Sequence, residues 1–491
     1  MNVNRSTYYP ELKTFTADFS NFSGGLNTEI NKEILPINYA VRAYNFNYES
    51  GVLKEGLGVE KLTFPFSNEP EDEREVVLNS EASPLSVAHY RFFNKDSGKR
   101  EDKLLVYASN KKLYSCPLST ENSTTIDEVG NILLSEKPKF INYRLNGEDS
   151  IIFTNLSDGM VVWSNGGEVT SVESAPTITS MCTHYERLFA TVDGERSSVW
   201  FSDDLDPTNW SVSSSEGGFI EMVDERGRLN KVISFNDYLY IFRDYGITRV
   251  TAFAEQENFS VTQVYTSAVK IYPESVCVCG DRVIFLAGDG LYSFNGVSVT
   301  KINLGYNKMF SFDNSNAKAE YHKNKYYLSC KLSFETTYPT ENNALIEFDP
   351  ESGKSNVLFG YCIEDILSIN TENVQKLVVV VKVGFNRFLG QVSQCGNVFG
   401  ESTYKVWQSA YCDFGYKNKF KQVREVTLKT DSLLYLLIRT EDDEKLLTFF
   451  GNDLPQTKRL FLKGKVIMFK FYTSTTNINV SQPQVKIKVC R

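Results

Sequence analysis

The chain has 491 residues, too many for one compact core, so two or three domains are expected. Hydrophobic residues make up 41%, which excludes a disordered chain, and the aromatic share of 13%, with frequent Val, Ile and Thr, favours strands over helices. The net charge of −9 is unevenly placed: from Asp413 onward fifteen Lys/Arg face eight Asp/Glu, a net of +7, which leaves −16 for residues 1–412 and speaks against sequence-specific DNA binding.

In chain order, the first twelve residues are polar and lack the apolar stretch of a signal peptide. Residues 1–75 read as an extended N-terminal β arm or platform, punctuated by Gly24, Gly25, Gly51, Gly56 and Gly58. The best helical periodicity in the chain, over 31–45, is short and interrupted by Pro36. Residues 68–75 (NEPEDERE) form an acidic loop.

From 76 to 412 strand signals recur with a long period. Apolar cores begin near Leu104, Ile151, Leu188, Leu239, Val283, Tyr326 and Leu377, at spacings of 37 to 51 residues. Such a period, with several strands per unit, predicts a β-propeller of six or seven blades. A small four-stranded sheet cannot bury both its faces, and radial stacking buries them against the neighbouring sheets. Asp158-Gly159 and Asp289-Gly290 fall between apolar runs, as two-residue hairpin turns do. Unrelated hairpins in β-sandwiches are the other reading. Residues 413–491 form a separate unit: VREVTLKT, LLYLLIRT, KRLFLKG, VIMFKFYT and QVKIKV predict a small β-sandwich. The longest apolar stretch, 377–381, ends at Lys382, far short of the roughly 20 residues that span a bilayer, so no membrane insertion is expected.

Catalytic motifs are missing: GxSxG, HExxH, the P-loop and a strand-to-helix GxGxxG do not occur. The chain has three histidines (His89, His184, His322) and nine scattered cysteines without a CxxC, a pattern of reduced, buried thiols; no catalytic residue, cofactor or metal is expected. Ser202 to Trp210 (SDDLDPTNW) resembles the Asp-box turn of sialidase-like propellers, with one residue too many before Trp210 and Asp206 in place of the glycine. Asp203, Asp204, Asp206 and Trp210 are read as structural turn residues. Lys417, Lys419, Lys421 and Arg424 recur with a period near two, which predicts one basic strand face, a candidate contact with an acidic neighbour. The acidic stretches 69–75 and 221–225, with Glu221, Asp224 and Glu225, are candidate linings of a neutral or negative channel.

An N-terminal stretch and three later segments in order carry a resemblance. FSGGLNTEINKEILPINYAVRAYNFNYESGVLKEGLGVEKL resembles the opening of many phage tail proteins, through Gly24, Gly25, Leu26, Asn27, Asn45, Gly51, Leu53, Gly56 and Gly58. YERLFATVDGERSSVWFSDDLDPTNW, ISFNDYLYIFRDYGITRVTAF and SVCVCGDRVIFLAGDGLYSFNG are similar, in order and spacing, to successive blades of the tail hub and nozzle (tail stabilisation, tail tubular) proteins of short-tailed bacteriophages. The likeness is clear over about residues 20–300 and weaker beyond. It implies a structural virion protein, assembled in the host bacterial cytoplasm into a ring, commonly a hexamer. Such a ring sits below the portal or adaptor and above distal tail, needle or fibre proteins, where it forms or closes the channel through which double-stranded DNA is ejected. The alternative is a glycan-binding or glycan-cleaving propeller, a receptor-binding protein or sialidase-like enzyme. A WD-type scaffold is disfavoured by the missing Gly-His and Trp-Asp dipeptides.

Overall fold

The computed structural model describes residues 14–18, 21–65, 73–118, 125–145, 147–213, 216–222, 226–253, 256–310, 313–334, 339–372 and 374–490. Among these the chain is all-β: strands are joined by turns and by three 3-10 segments, Gln256–Asn258, Pro273–Ser275 and Asn307–Met309, with no α-helix. The helical periodicity over 31–45 resolves into a turn followed by the strand Tyr39–Tyr44. Pro36 ends any helix there, and the strand buries Ala40, Ala43 and Tyr44, its alternation broken by a bulge between Ala40 and Arg42.

Six sheets, each of four consecutive antiparallel strands, follow one another, the first extended by Val77–Leu78, which pairs in parallel with its outer strand. They begin with Pro84–Asn94, Lys139–Leu145, Ile178–His184, Leu229–Phe235, Cys277–Cys279 and Lys318–His322. A seventh sheet is built from Cys362–Asn370, Gln375–Val383, Asn386–Ser393 and Gly58–Lys61, a strand from far upstream, and is extended by the short strands Asn397–Val398 and Glu401–Ser402. First strands of neighbouring sheets pack side by side, the fourth reaching the fifth through Pro273–Ser275, and Cys362–Asn370 packs on Pro84–Asn94. The ring of sheets is therefore closed, and the fold is a β-propeller.

The apolar cores legible in the sequence are the second strands of these blades: Lys99–Ala108, Glu148–Asn155, Arg187–Val192, Tyr238–Arg243, Arg282–Ala287, Lys325–Cys330 and Gln375–Val383. A second strand lies mid-blade, covered on both faces by neighbouring blades, so it reads as an unbroken apolar run; Arg187–Val192 is buried at every position. The two Asp-Gly pairs form hairpin turns, with Gly159 at φ 72° and Gly290 at φ 139°.

The strand pairing divides the chain differently from the expected 1–75, 76–412 and 413–491. Thr14–Asp18, Phe46–Asn47 and Leu53–Glu55 join Lys421–Thr430, Asn452–Gly464 and Asn479–Val489 in one sheet. Gly25–Leu26, Tyr39–Tyr44 and Lys405–Ser409 join Leu434–Arg439, Glu444–Phe449 and Met468–Thr473 in the other. The N-terminal segment is thus no free-standing arm. It completes the C-terminal sandwich and then supplies the closing strand of the seventh blade. Its strands are two to six residues long, and Thr14–Asp18, Tyr39–Tyr44, Leu53–Glu55 and Gly58–Lys61 have partners hundreds of positions away, which local periodicity does not reveal.

Sandwich and propeller share one core. Phe22, Trp407 and Phe471 meet edge to face inside the sandwich, Phe22 at 4.9 Å from Trp407 and 5.7 Å from Phe471. The same cluster continues through Tyr306, Tyr326, Leu328 and Val357 of the fifth and sixth blades. At the joint, backbone lies against backbone: a Cβ on Gly56 would sit 2.4 Å from the Asn45 carbonyl oxygen, and one on Gly58 would sit 2.3 Å from that of Asn397.

Candidate functional site

The innermost strands place charged side chains in the propeller axis. Lys318 of the sixth blade meets Asp365 of the seventh at 2.6 Å, and Lys137, just before the second blade, reaches the same carboxylate at 3.4 Å. The Ser86 hydroxyl (2.7 Å) and the Val87 N–H (3.1 Å) of the first blade also donate to it. Glu274, ahead of the fifth blade, receives Lys139 of the second at 2.6 Å and has Lys231 of the fourth at 3.7 Å. The second blade is adjacent to neither the fifth nor the seventh, so these contacts span the lumen and tie opposite sides of the ring.

Burial works against the ionised form of Asp365, but Lys318 and Lys137 outweigh it and hold the carboxyl down at about 2. Lys231, opposing burial and helped by Lys139, holds Glu274 far below the usual carboxylate range. Glu320 forms none of these pairs. Its carboxylate accepts the Tyr321 N–H at 3.2 Å, and burial pushes its pKa up to about 7. Burial likewise brings Lys137 down to about 8, against the pull of Asp365.

The SDDLDPTNW segment is a self-contained turn. Asp206 accepts from the Thr208 N–H and hydroxyl, Asp203 accepts from Asn209, and the Trp210 indole donates to the Pro207 carbonyl, leaving the ring buried between the second and third blades. Among the described residues no group of three His, Cys, Asp or Glu side chains converges as a metal ion would require.

The four basic residues of the expected strand face do not share one. Asn418 adopts φ 61° and makes a turn that holds Lys417 and Lys419 ahead of the strand. Lys417 lines a groove of about 980 Å³ beside Asp413, Glu441 and Asp442. Lys421 is fully buried, its ammonium donating to the carbonyls of Tyr416 and Lys465. Only Arg424 is exposed on the strand, over the ring of Phe461 at 5.7 Å. The pattern failed because a single left-handed residue resets strand alternation. Glu221 is exposed at the end of the outermost strand of the third blade, Gly218–Glu221, at the rim of the propeller. Asp224, Glu225 and residues 69–72 lie outside the described residues; Glu73 pairs with Lys376 at 2.8 Å and Glu75 with Lys61 at 3.0 Å.

Sequence reasoning did not find the axial set Lys137, Lys139, Lys231, Glu274, Lys318, Glu320 and Asp365. Its signal is a charged residue in or just before several of the inner strands that precede the apolar cores, as in KFINYRL, LNKVISF and CIEDILSIN. Nor did it find how charge is distributed over the blades. Between Lys139 and Glu221, the second and third blades carry thirteen Asp/Glu against four Lys/Arg, a net of −9. Of those cations Lys139 faces the lumen and Arg187 is buried against Glu216.

No protein family model and no curated protein matches this chain. Among solved structures it is similar to the Neurospora crassa Pan2 WD40 domain at 9% identity, covering 63% of this chain and 89% of that one with a TM-score of 0.37. It is similar to the RRP9 WD40 repeats at 8% identity, covering 64% and 94% with a TM-score of 0.37. It is also similar to Chaetomium thermophilum Raptor at 10% identity, covering 64% of this chain and 28% of that one with a TM-score of 0.43.

Proposed function

We propose that this chain is a structural, self-associating subunit of a short-tailed phage tail, a hub or nozzle protein without catalytic activity. The observation that carries the reading is the way the chain is locked into one body. The strand Gly58–Lys61 closes the propeller, the strands before it in sequence build the sandwich with those from Lys405 onward, and a single core runs through both. Ion pairs across the lumen stiffen the ring further. Such a body suits a building block that bears load in a particle. The sequence resemblance supplies the identity of that particle: a ring, commonly six-fold, between the portal or adaptor and the distal tail, with DNA passing through its centre.

Negative-stain electron microscopy and native mass spectrometry of the purified protein test the reading. Rings, or tail-end density in virions decorated with antibody against the chain, are the expected result; a strictly monomeric protein absent from virions overturns it.

One observation favours the glycan-processing alternative. Glu320 and Asp365 share the lumen with pKa values driven apart, about 7 and about 2, as an acid and its ionised partner would be. Against it, Asp365 is covered by two lysines and a serine. Release of reducing sugar from sialylated or other oligosaccharides, abolished by Glu320→Gln, would establish that alternative.

A further inference from the structure

We infer that copies of this chain meet head to tail, the open edge of the sandwich in one copy lying against the outer edges of the second and third blades in the next. The inference rests on the ring reading and names the surfaces that reading needs.

The sandwich ends, on its side away from the propeller, in two strands joined at residues 450–451. Among the described residues Glu444–Phe449 pairs only with Leu434–Arg439, and Asn452–Gly464 only with Lys421–Thr430. Four large apolar side chains stand out from this edge: Leu446, Phe450, Leu454 and Phe461, 53% to 71% exposed. A thirteen-residue open strand carrying such side chains is a surface that solitary proteins avoid. The edge is also basic. Arg459 projects into solvent, with Glu425 at 3.6 Å, and Lys463 lies over the Phe420 ring at 4.8 Å.

The complementary surface lies at the other end of the molecule. The sandwich is joined to the propeller at the fifth and sixth blades, and in a ring of seven the second and third blades lie across the axis from the sixth. Those two blades carry the net charge of −9 described above. Among the described residues their outer strands, Thr170–Val172 and Gly218–Glu221, are open edges carrying the exposed Glu173 and Glu221 at their ends, with Phe219 47% exposed beside Glu221. A head-to-tail contact requires two different, mutually complementary surfaces on different sides of one subunit. Edge-to-edge pairing of two sandwiches would instead oppose like charges.

Sedimentation velocity and native mass spectrometry of the full chain at physiological salt test this with exposed residues. The Arg459→Glu/Lys463→Glu variant should keep the wild-type melting curve and circular dichroism while associating at least tenfold more weakly. Glu173→Lys/Glu221→Lys should do the same, and an equimolar mixture of the two variants should recover association between them. A wild type that assembles while the reversed variants assemble equally well would overturn the inference and leave the ring reading standing. A wild type that stays monomeric and is absent from virions overturns both. If a short DNA duplex binds the wild type through Arg459 and Lys463, while association ignores their reversal, the basic edge is a phosphate surface and the inference fails.

Discussion

Asn45 and Phe359 bond to each other twice across the joint between sandwich and propeller: the Asn45 amide nitrogen donates to the Phe359 carbonyl at 3.1 Å, and the Phe359 N–H donates to the Asn45 side-chain oxygen at 2.6 Å. The same amide nitrogen donates to the Tyr404 carbonyl at 2.8 Å, and the Asn45 N–H to that of Val357 at 2.8 Å. Asn45 is buried and adopts φ 62°, a region that asparagine tolerates better than most residues. One side chain thus acts as an extra strand partner for the outermost strand of the sixth blade. Asn45→Ala should cost about 3 kcal/mol, since it orphans buried backbone groups and strains the turn. Asn45→Gly should recover only the part due to strain. Chemical denaturation of the three proteins checks the order.

Asp365 is the keystone of the axial network. Asp365→Asn keeps an acceptor for Ser86 and Val87 but leaves Lys318 and Lys137 without their counter-charge, which should destabilise by about 3 kcal/mol. Because the folded carboxyl is held at about 2, below its ordinary 3.8, its stabilisation is complete above the ordinary value and is lost as pH falls towards 2. The wild type should therefore lose its advantage over Asp365→Asn in acid. Thermal melts of both between neutral pH and pH 3 measure this, and a constant difference would show that the pairs contribute nothing.

Glu320 gives the opposite sign. Its folded pKa of about 7 lies above its ordinary 4.5, so its contribution is complete below 4.5 and is lost as pH rises through 7. Glu320→Gln removes the titration. Relative to the wild type, the variant should gain stability between pH 5 and pH 8, by about 3 kcal/mol at most. Parallel melts across that range decide the matter; a flat difference means that water in the lumen solvates the carboxylate fully.

The blades were legible because each second strand is buried on both faces and reads as one apolar run, from the stretch starting at Leu104 to the one starting at Leu377. The sandwich was legible for five of its six strands beyond residue 420, Glu444–Phe449 being missed, and illegible for its N-terminal ones, since Tyr39–Tyr44 finds its partner at Lys405–Ser409. Period-two counting misplaced Lys421, whose ammonium is buried against two carbonyls, because the turn at Asn418 is invisible to alternation. The axial charges escaped for a different reason: Lys139 and Glu274 are 135 residues apart, and only closure of the ring brings them within 2.6 Å.

Closure itself rests on Gly58. This glycine begins the strand that completes the seventh blade, opposite Ser393, and a Cβ there would meet the Asn397 carbonyl oxygen at 2.3 Å and the Cys395 sulfur at 2.4 Å. Both obstacles belong to the segment that leads back to the sandwich, which is pinned by the fully buried Lys405 through its bond to the Gly396 carbonyl at 3.0 Å. The Asn397 carbonyl is backbone and cannot swing aside as a side chain could, so Gly58→Ala should displace the closing strand and cost about 2 kcal/mol or more. The loss should be local before it is global. The first and seventh blades would separate first, exposing Gly58–Lys61, while the second to sixth blades keep their own pairing. Hydrogen exchange read by mass spectrometry should therefore show faster exchange in Gly58–Lys61 and Asn386–Ser393 of the variant, with Arg187–Val192 unchanged. Uniformly faster exchange would mean that the propeller opens as a single unit and that this strand is no latch.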